Sequence, residues 1–349
     1  NDNKKICVPL SSKGENTKNT FDDFEVDDIQ KYIDLCFDIR EKTKYRDEKR
    51  PRGGLLRVRE FTMKDAYSFD ESEEALNETY QKFYDSYIKI AERLDLKVHP
   101  VLADSGAIGG DYNHEFIVES PAGEGGAFLC DACDYAAGEE RASATFEDYK
   151  QDKEQKNIEE YWDETVVNCE ILAEKMGVPL QATTKTILFK ADDIFVAAMV
   201  RGDYDINEAK LARHLGADNL ELASEKDIFK LTGAKVGFMG PVNLPEEIKV
   251  VADLTCENRT NFEAGGNKTG LHLYNLNYEK DFPTPEFADI RNVDDGDGCK
   301  ECGKGKLKEI KGIEWGHCFK LDQFYSTPHK ATFKNKRSEE HTSELQSHV

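Results

Sequence analysis

The sequence lacks any long apolar run and any export signal. Its 349 residues are 38% hydrophobic and 33% charged, and no stretch approaches the roughly 18 consecutive apolar residues of a membrane-spanning helix. The first residues show no basic start followed by an apolar segment, which is the pattern of a secretory signal peptide. We therefore expect a cytoplasmic protein with no membrane partner. The length is sufficient for two domains with separate cores.

Positive charge is also scarce. The chain carries 47 Lys and Arg residues against 69 Asp and Glu residues, a formal net charge of −22. Because a strongly acidic surface repels phosphate backbones, this balance excludes a general nucleic-acid-binding protein. Any contact with RNA must use a local basic patch, and the segment from Lys49 to Arg59 is one.

Cysteine is present in an odd number, nine, and two pairs have the C-x-x-C spacing: Cys130 with Cys133, and Cys299 with Cys302. Without an export signal, such pairs favour reduced thiols and metal binding over disulfides. Four thiolates suit one tetrahedral structural Zn²⁺. Because the gap between the pairs is long, the alternative is four reduced thiols that bind no metal.

The sequence predicts a basic hairpin in the segment YRDEKRPRGGLLRVREFTMKDAYSFD, which begins at Tyr45. Two runs of period-two alternation flank a connector, residues 50–54, whose Pro and Gly favour a turn. Alternation places the following side chains together: Lys44, Arg46 and Glu48 before the turn, and Arg57, Arg59 and Phe61 after it. Guanidinium groups bind phosphate bidentately and a ring stacks on a base, so this set suits a nucleotide. The alternative is a hairpin with a solvated charged face.

The same residues resemble a known family. YRDE at residues 45–48, followed after a loop by REF at 59–61, resembles motif 2 of the class II aminoacyl-tRNA synthetases. The fuller string RPRGGLLRVREFTMKDAYSFD is very similar to the bacterial-type prolyl-tRNA synthetases. The resemblance implies an α+β fold, in which a class II antiparallel β-sheet with flanking helices is interrupted by an α/β editing insertion domain.

The resemblance also implies a ligase that joins proline to ATP and passes the prolyl group to tRNA-Pro. Arg46 would hold the α-phosphate and help align the proline carboxylate, Glu48 would read the adenine amine, and Phe61 would stack on the adenine ring. Arg59 completes the predicted catalytic set with Arg46 and Glu48. Mg²⁺ would bridge the phosphates of ATP. Such catalysis depends on positioning and charge neutralisation rather than on a covalent nucleophile of the protein.

Further similarity marks a pocket for proline. HEF at residues 114–116 and GHCF at residues 316–319 resemble segments of the prolyl enzymes. The resemblance implies that His114, Gly316, His317 and Phe319 lie near the bound amino acid. Ordinary strand packing is the alternative for each of them.

Residues 150–284 resemble the editing insertion of the bacterial-type enzymes and the free-standing proteins that hydrolyse mischarged alanyl-tRNA. The matching residues are Lys185, Gly240, Pro241, Asp253 and His272. Backbone N–H groups of a Gly-Pro loop suit a developing oxyanion, Lys185 suits a tRNA phosphate or the terminal ribose, and a small pocket shaped by His272 would exclude the larger prolyl group. A solvated lysine and a packed histidine are the alternatives. No counterpart of the Thr-containing stretch of that pocket is evident.

Local patterns predict the elements of the insertion. We expect one helix over residues 158–177 that ends at Gly177, and buried strands over 183–191 and 194–202. Asn207 and Ser224 are predicted to cap two further helices. Outside the insertion, Asp70 with Glu73 predicts a capping box.

The domain prediction has five parts. They are an unassigned leader (1–36), the first part of the catalytic core (37–149), the editing insertion (150–284), the second part of the core, cut before motif 3 (285–333), and a tail (334–349). The tail contains RSEEHTSELQSHV, which resembles a translated sequencing adapter and is excluded from the predicted fold. We expect a fragment of a proline–tRNA ligase whose complete form is a homodimer. Two alternatives stay open: only the insertion works, as an aminoacyl-tRNA deacylase, or the chain is inactive.

Overall fold

The computed structural model describes residues 38–110, 112–123, 125–149, 154–334, 340–342 and 344–348. The predicted leader lies outside them. The chain divides into two compact units: Asn1–Ala142 with Lys308–Val349 form the first, and Ser143–Leu307 form the second. Within the described ranges, no helix is both long enough and apolar enough to cross a membrane.

The secondary-structure elements are named here in chain order. The strands are β1 (Asp38–Tyr45), β2 (Glu60–Asp70), β3 (Val98–Leu102), β4 (Tyr112–Glu119), β5 (Gly125–Cys130), β6 (Ala136–Gly138), β7 (Ala144–Thr145), β8 (Glu159–Trp162), β9 (Thr184–Ala191), β10 (Ile194–Arg201), β11 (Leu220–Leu222), β12 (Lys249–Asp253), β13 (Phe262–Gly265), β14 (Leu271–Leu276), β15 (Glu286–Ala288), β16 (Gly298–Cys299), β17 (Leu307–Asp322), β18 (Thr332–Lys334), β19 (Glu340–Thr342) and β20 (Glu344–His348). The α-helices are α1 (Glu73–Arg93), α2 (Cys169–Met176), α3 (Glu208–Leu215), α4 (Glu225–Thr232) and α5 (Ser326–His329).

The first unit is built on one sheet with the strand order β1-β2-β20-β17-β4-β3-β6-β5. Its described pairings are antiparallel except that β3 and β6 run parallel. Strand β2 becomes fully buried over residues 65–70, and the apolar face of α1 includes the buried residues Leu76 and Tyr80. An antiparallel sheet with a flanking helix agrees with an α+β fold, whereas a class II synthetase core stays a prediction.

Helix α1 begins differently from the prediction. The Ser72 hydroxyl accepts a hydrogen bond from the Ala75 N–H at 3.2 Å, which makes Ser72 the N-cap. The capping box predicted from Asp70 is therefore wrong. Asp70 is buried and accepts hydrogen bonds from the hydroxyls of Ser68 and Thr79. The acidic side chain joins the end of β2 to the helix instead of starting the helix.

The tail that was excluded from the predicted fold contributes a strand in the structure. Residues 344–348 form β20, which pairs with both β2 and β17. Adjacent strand edges present unpaired N–H and C=O groups, and any extended segment can satisfy them. The side chains fit less well, because Glu344 lies directly opposite Asp70 and like charges in such a pair are unfavourable.

The second unit contains mixed sheets and short helices. Its five-stranded sheet has the order β11-β9-β10-β12-β15, and its three-stranded sheet has the order β13-β14-β8. Strands β10, β12 and β15 run parallel to one another, whereas β9 is antiparallel to β10. Residues 196–200 are completely buried, which explains the continuous apolar run that predicted a buried strand.

Three helix ends of the second unit confirm the sequence prediction. The Asn207 side chain accepts from the Lys210 N–H at 3.0 Å at the start of α3. The Ser224 hydroxyl caps α4 in the same way. Gly177 follows α2 with φ +66°, the left-handed conformation that favours glycine at this position.

The single helix predicted over residues 158–177 is wrong in its first half. Residues 159–162 form β8, which pairs antiparallel with β14 from Leu271 to Tyr274. Helix α2 begins only after Asn168, whose side chain accepts from the Ile171 N–H at 2.8 Å. Sheet pairing with a distant strand therefore overrides the local helical pattern.

The limits of the second unit differ from the predicted insertion, residues 150–284. Strand β7 pairs with β16, so the unit begins at Ser143. Strand β15 pairs with β12 of the five-stranded sheet, and the unit therefore continues to Leu307. The strand pairings of β7 and β15 join both added segments to this unit.

The Asn207 cap gives a test of the fold. We expect Asn207→Ala to lower the free energy of unfolding by about 1 to 2 kcal/mol, because one N–H of α3 loses its acceptor. Thermal unfolding followed by circular dichroism measures the change. Asn207→Asp keeps an acceptor and should retain most of the stability; an equal loss in both variants would contradict the capping role.

Candidate functional site

The loop at Gly240 in the second unit is held by one side chain. Asn267 Oδ1 accepts from the Gly240 N–H at 3.0 Å, and Asn267 Nδ2 donates to the carbonyls of Gly240 and Val242 at 2.9 and 2.7 Å. Asn267 is buried and has φ +56°, a conformation that asparagine tolerates better than most residues. The loop backbone is therefore fixed without a regular sheet.

Glycine is required at position 240 by close packing. A Cβ atom built on Gly240 would lie 1.8 Å from the carbonyl oxygen of Gly265, so any side chain would displace the backbone. Gly265 is in turn the strand partner of His272. The structure thus brings together Gly240, the buried Pro241 and His272, three of the residues predicted for editing.

His272 is buried in this site as a neutral ring. Its Nε2 lies 3.0 Å from the Val166 carbonyl, and its ring lies 5.5 Å from that of Phe238. Burial lowers the pKa of His272, so the ring is uncharged at pH 7. With Nε2 donating to Val166, Nδ1 carries the lone pair, and it has no hydrogen-bond partner among the described residues.

The segment before α2 supplies the carbonyl that orients His272. Asp163 Oδ1 accepts from the N–H and the hydroxyl of Thr165 at 2.9 and 2.6 Å, and Asp163 Oδ2 accepts from Lys175 at 3.0 Å. The hydrogen bonds to Thr165 and Lys175 lower the pKa of Asp163. Thr165 immediately precedes Val166, whose carbonyl contacts His272. A threonine therefore lies next to this contact, although no Thr-containing stretch was evident from the sequence.

Lys185 lies at the start of β9 and is only partly exposed. Its ammonium donates to the Tyr204 carbonyl at 3.1 Å and pairs with the carboxylate of Asp205. The Asp205 side chain is 72% exposed, so the ion pair is open to solvent and an anionic ligand can compete for it. The Lys185 ammonium therefore lies at the start of β9 beside Tyr204 and Asp205, and its part in an editing site stays a prediction.

Asp253 has a different position from the other predicted editing residues. Its Oδ2 accepts from the backbone N–H groups of Ile290 and Arg291 at 2.9 and 3.0 Å, and its Oδ1 accepts from Thr255. The side chain is buried. Asp253 thus joins the end of β12 to the segment that follows β15.

A cavity of about 250 Å³ lies near Asp253, with Thr145, Asp289, Arg291 and Lys300 among its lining residues. It contains none of Lys185, Gly240 and His272. Its buried charges are already paired, since Asp289 accepts from Lys210 and Arg291 pairs with Asp297, both at 2.8 Å. The cavity and the Gly240 loop are therefore separate places in the second unit.

The predicted nucleotide hairpin is present in the first unit, with one difference. Strand β1 ends at Tyr45 and β2 begins at Glu60, so Arg46 and Glu48 lie in the connection rather than on a strand face. The connection turns at Gly53 and Gly54, with φ +67° and +66°. The two glycines form the tip of the connection, which is closed by an antiparallel bridge between Arg52 and Arg57.

Contacts within this connection divide the predicted residues into one pair and one group of three. The Arg46 guanidinium lies 4.9 Å from the centre of the Phe61 ring. The Glu48 carboxylate is 3.3 Å from Arg57 Nε, and the Glu48 carbonyl accepts from Arg59 Nε at 2.8 Å. The structure therefore places Arg46 with Phe61 and Glu48 with the two other arginines.

The residues predicted for the proline pocket lie on paired strands of the first unit. His114 Nδ1 is 2.8 Å from the Tyr80 hydroxyl, and burial with nearby His317 lowers the pKa of His114 to about 4. The His317 ring stacks on Phe319 with centroids 3.7 Å apart. Gly316 follows an irregularity in β17.

Glu115 belongs to the same place, although the sequence analysis did not include it among the site residues. It is the strand partner of His317, and its carboxylate lies 3.8 Å from His317 Nδ1. Burial and the nearby acidic residue Glu314 raise the pKa of Glu115 to about 8. Its position inside the HEF string was the available signal.

Each C-x-x-C pair forms a tight turn within its own unit. The Ala132 N–H donates to Cys130 Sγ at 3.4 Å, and the Gly305 N–H donates to Cys302 Sγ at 3.3 Å. All four cysteines are reduced thiols and not disulfides. Backbone N–H groups directed at sulfur stabilise thiolates, which is the form that binds zinc.

Comparison with known proteins defines the class of the second unit. Residues 163–281 match the aminoacyl-tRNA editing domain family. The solved structure of a candidate trans-editing enzyme for prolyl tRNA synthetase matches 39% of this chain and 87% of its own, with 16% identity and a TM-score of 0.35. By the sequence match, residues 163–281 of the second unit are similar to the aminoacyl-tRNA editing domain family.

The chain as a whole is homologous to bacterial proline–tRNA ligases. It is 43% identical over 316 residues to the proline–tRNA ligase of Geobacter sp. strain M21. This alignment covers 90% of this chain and 55% of the relative. It is 44% identical over 313 residues to that of Caldicellulosiruptor bescii, which covers 89% and 54%. The chain spans about half the length of the curated relatives it matches.

The Asn267 contacts give a test of the site. We expect Asn267→Ala to destabilise the loop by about 2 to 3 kcal/mol, because buried N–H and C=O groups lose their partners. Hydrogen exchange of the peptide that covers residues 238–245 should become faster.

The exposed Asn219→Ala is the matched control and should leave exchange at residues 238–245 unchanged. Unaltered protection of Gly240 in Asn267→Ala would show that other contacts fix the loop.

Proposed function

We propose that the second unit hydrolyses alanyl-tRNA-Pro, the mischarged product of a proline–tRNA ligase. The observation that carries the proposal is the geometry of the Gly240 loop. Asn267 holds the backbone of this loop by hydrogen bonds, and the loop packs against Gly265, the strand partner of His272. A rigid backbone next to a buried neutral ring is suited to bind an ester carbonyl without a metal or a nucleophilic side chain. The match to the editing family supports the same reaction class.

The loop geometry assigns the oxyanion donors. The N–H of Gly240 is already bonded to Asn267, and Pro241 has no N–H. The N–H groups of Val242 and Asn243 are therefore the donors we assign to the oxyanion that forms when water attacks the ester carbonyl. Collapse of this intermediate breaks the ester C–O bond and releases alanine and the 3′-terminal hydroxyl of tRNA.

Specificity follows from the size of the enclosure. His272 and Phe238 form a wall near the Gly240 loop, and neither can retreat because both are buried. An alanyl methyl group is small, whereas the pyrrolidine ring of proline is larger and would overlap such a wall. Exclusion by size is the logic of an editing sieve. Lys185 would bind a phosphate or the terminal ribose of the tRNA.

For the first unit we propose nucleotide and proline binding as in a proline–tRNA ligase. Homology to these ligases and the Arg46–Phe61 contact support it. ATP with Mg²⁺, proline and tRNA-Pro are the proposed ligands, and a homodimer is the proposed state of the complete enzyme. The two alternatives, deacylation alone and an inactive chain, are separated from this proposal by whether ATP and proline support any turnover.

The editing proposal is tested with the full chain and purified alanyl-tRNA-Pro. We expect hydrolysis without ATP and little hydrolysis of prolyl-tRNA-Pro. Lys185→Ala should lower kcat/KM by about tenfold, the cost of one charge-assisted contact. Release of labelled alanine measures the rate.

Lys190→Ala is the control, because Lys190 lies on the opposite face of β9. Unchanged activity in Lys185→Ala would refute its role, and no hydrolysis by the unaltered chain would refute the function.

We also propose that Cys130, Cys133, Cys299 and Cys302 hold one structural Zn²⁺. The N–H groups directed at Cys130 and Cys302 support this donor set. Protein purified in reductant should contain about one zinc per chain, because four thiolates complete the tetrahedron. Plasma emission spectroscopy measures the content.

Cys302→Ser should lose the zinc, and Cys7→Ser, which lies outside the described residues, should keep it. Equal zinc content in Cys302→Ser and the unaltered protein would contradict the site.

A further inference from the structure

Strand β13 carries an acidic residue, Glu263, between two residues of the hydrophobic core. Phe262 and Ala264 are completely buried and pack in the core between the sheets of the second unit. Because side chains alternate along a strand, Glu263 and Gly265 face the other side. That side is the one on which Gly265 meets His272 and the Gly240 loop.

The strand that carries Glu263 contacts two segments that hold residues of the proposed editing site. Its backbone forms a parallel bridge with Thr183, which directly precedes β9. Lys185 is two residues further along the same strand direction, so Thr183 and Lys185 share a face. On the other side, Gly265 is two residues from Glu263 and pairs with His272. Strand β13, which carries Glu263, thus lies between the segment that leads to Lys185 and the strand that carries His272.

The carboxylate of Glu263 is buried and incompletely bonded. The residue is 7% exposed, and its Oε2 has no hydrogen-bond partner among the residues that the structure describes. Burial raises the pKa of Glu263 to about 7. A buried carboxylate without a partner is costly, so a residue in this place indicates that a ligand supplies the missing group.

The nearest cation does not supply that group. The guanidinium of Arg259 donates to the Thr183 carbonyl at 3.1 Å, to Thr184 Oγ1 at 2.6 Å and to the Ala182 carbonyl. Arg259 therefore holds the chain that leads into β9. Its charge offsets that of Glu263 only through space.

We propose that the Glu263 carboxylate binds the α-ammonium group of the aminoacyl ester in the editing site. This inference rests on the proposed deacylase function. Every aminoacyl ester with a free amine carries this cation, and a carboxylate with an open oxygen is its natural partner. Held at the amine, the ester presents its carbonyl to the Gly240 loop and its side chain to the wall at His272. Glu263 is thus a recognition residue for free aminoacyl esters, as opposed to N-acylated ones.

The test compares alanyl-tRNA-Pro with N-acetyl-alanyl-tRNA-Pro, which has the same ester but no charged amine. The full chain should hydrolyse the free-amine ester at least tenfold faster in kcat/KM. Glu263→Gln should lose about tenfold on alanyl-tRNA-Pro, mainly through KM, and leave the rate on the acetylated ester unchanged.

Glu257→Gln is the matched control, because Glu257 is exposed, and it should behave as the unaltered chain. Equal losses on both esters in Glu263→Gln would show a structural role and overturn the inference. Equal hydrolysis of both esters by the unaltered chain would overturn it without any variant, while leaving the deacylase function standing. If the unaltered chain hydrolyses neither ester, the function and the inference fail together.

Discussion

The packing of Gly240 against Gly265, held in place by the amide of Asn267, is the constraint on which the proposed site depends. This packing brings the Gly240 loop, which has no regular hydrogen bonding, into contact with strand β13. Gly265 of β13 is the strand partner of His272. One buried side chain satisfies three backbone groups, so the loop keeps a defined shape without a ligand. Preorganised N–H groups stabilise developing charge because they need not reorient during the reaction.

Some charged side chains of the second unit hold the backbone, and others are proposed to bind a ligand. Asp253, at the end of β12, accepts hydrogen bonds from the backbone N–H groups of Ile290 and Arg291. Arg259 donates to the Thr183 carbonyl, just before β9. The two proposed recognition residues differ from them: Lys185 forms an ion pair with the exposed Asp205, and Glu263 Oε2 has no hydrogen-bond partner among the described residues. Arg259 fixes the start of β9, the strand that carries Lys185.

Much of this arrangement could be predicted where its cause is local. Asn207, Ser224 and Gly177 act through hydrogen bonds or a backbone angle within their own helix ends, and the sequence alone identified them. Gly240 and His272 came from family resemblance. The strand over residues 159–162, the partnership of Asn267 with Gly240, and the positions of Glu115 and Glu263 depend on pairing with distant segments. No local pattern encodes such partners, and the same fact explains why the compact unit extends beyond residues 150–284.

The most direct test of the central claim is to locate a bound substrate analogue. A non-hydrolysable alanylamide of 3′-amino-3′-deoxyadenosine can be titrated into the isotope-labelled full chain and followed by amide resonances. The account predicts shifts concentrated at Val242, Asn243, Gly265 and His272. Shifts confined to the cavity lined by Thr145, Arg291 and Lys300, with the Gly240 loop unaffected, would contradict it.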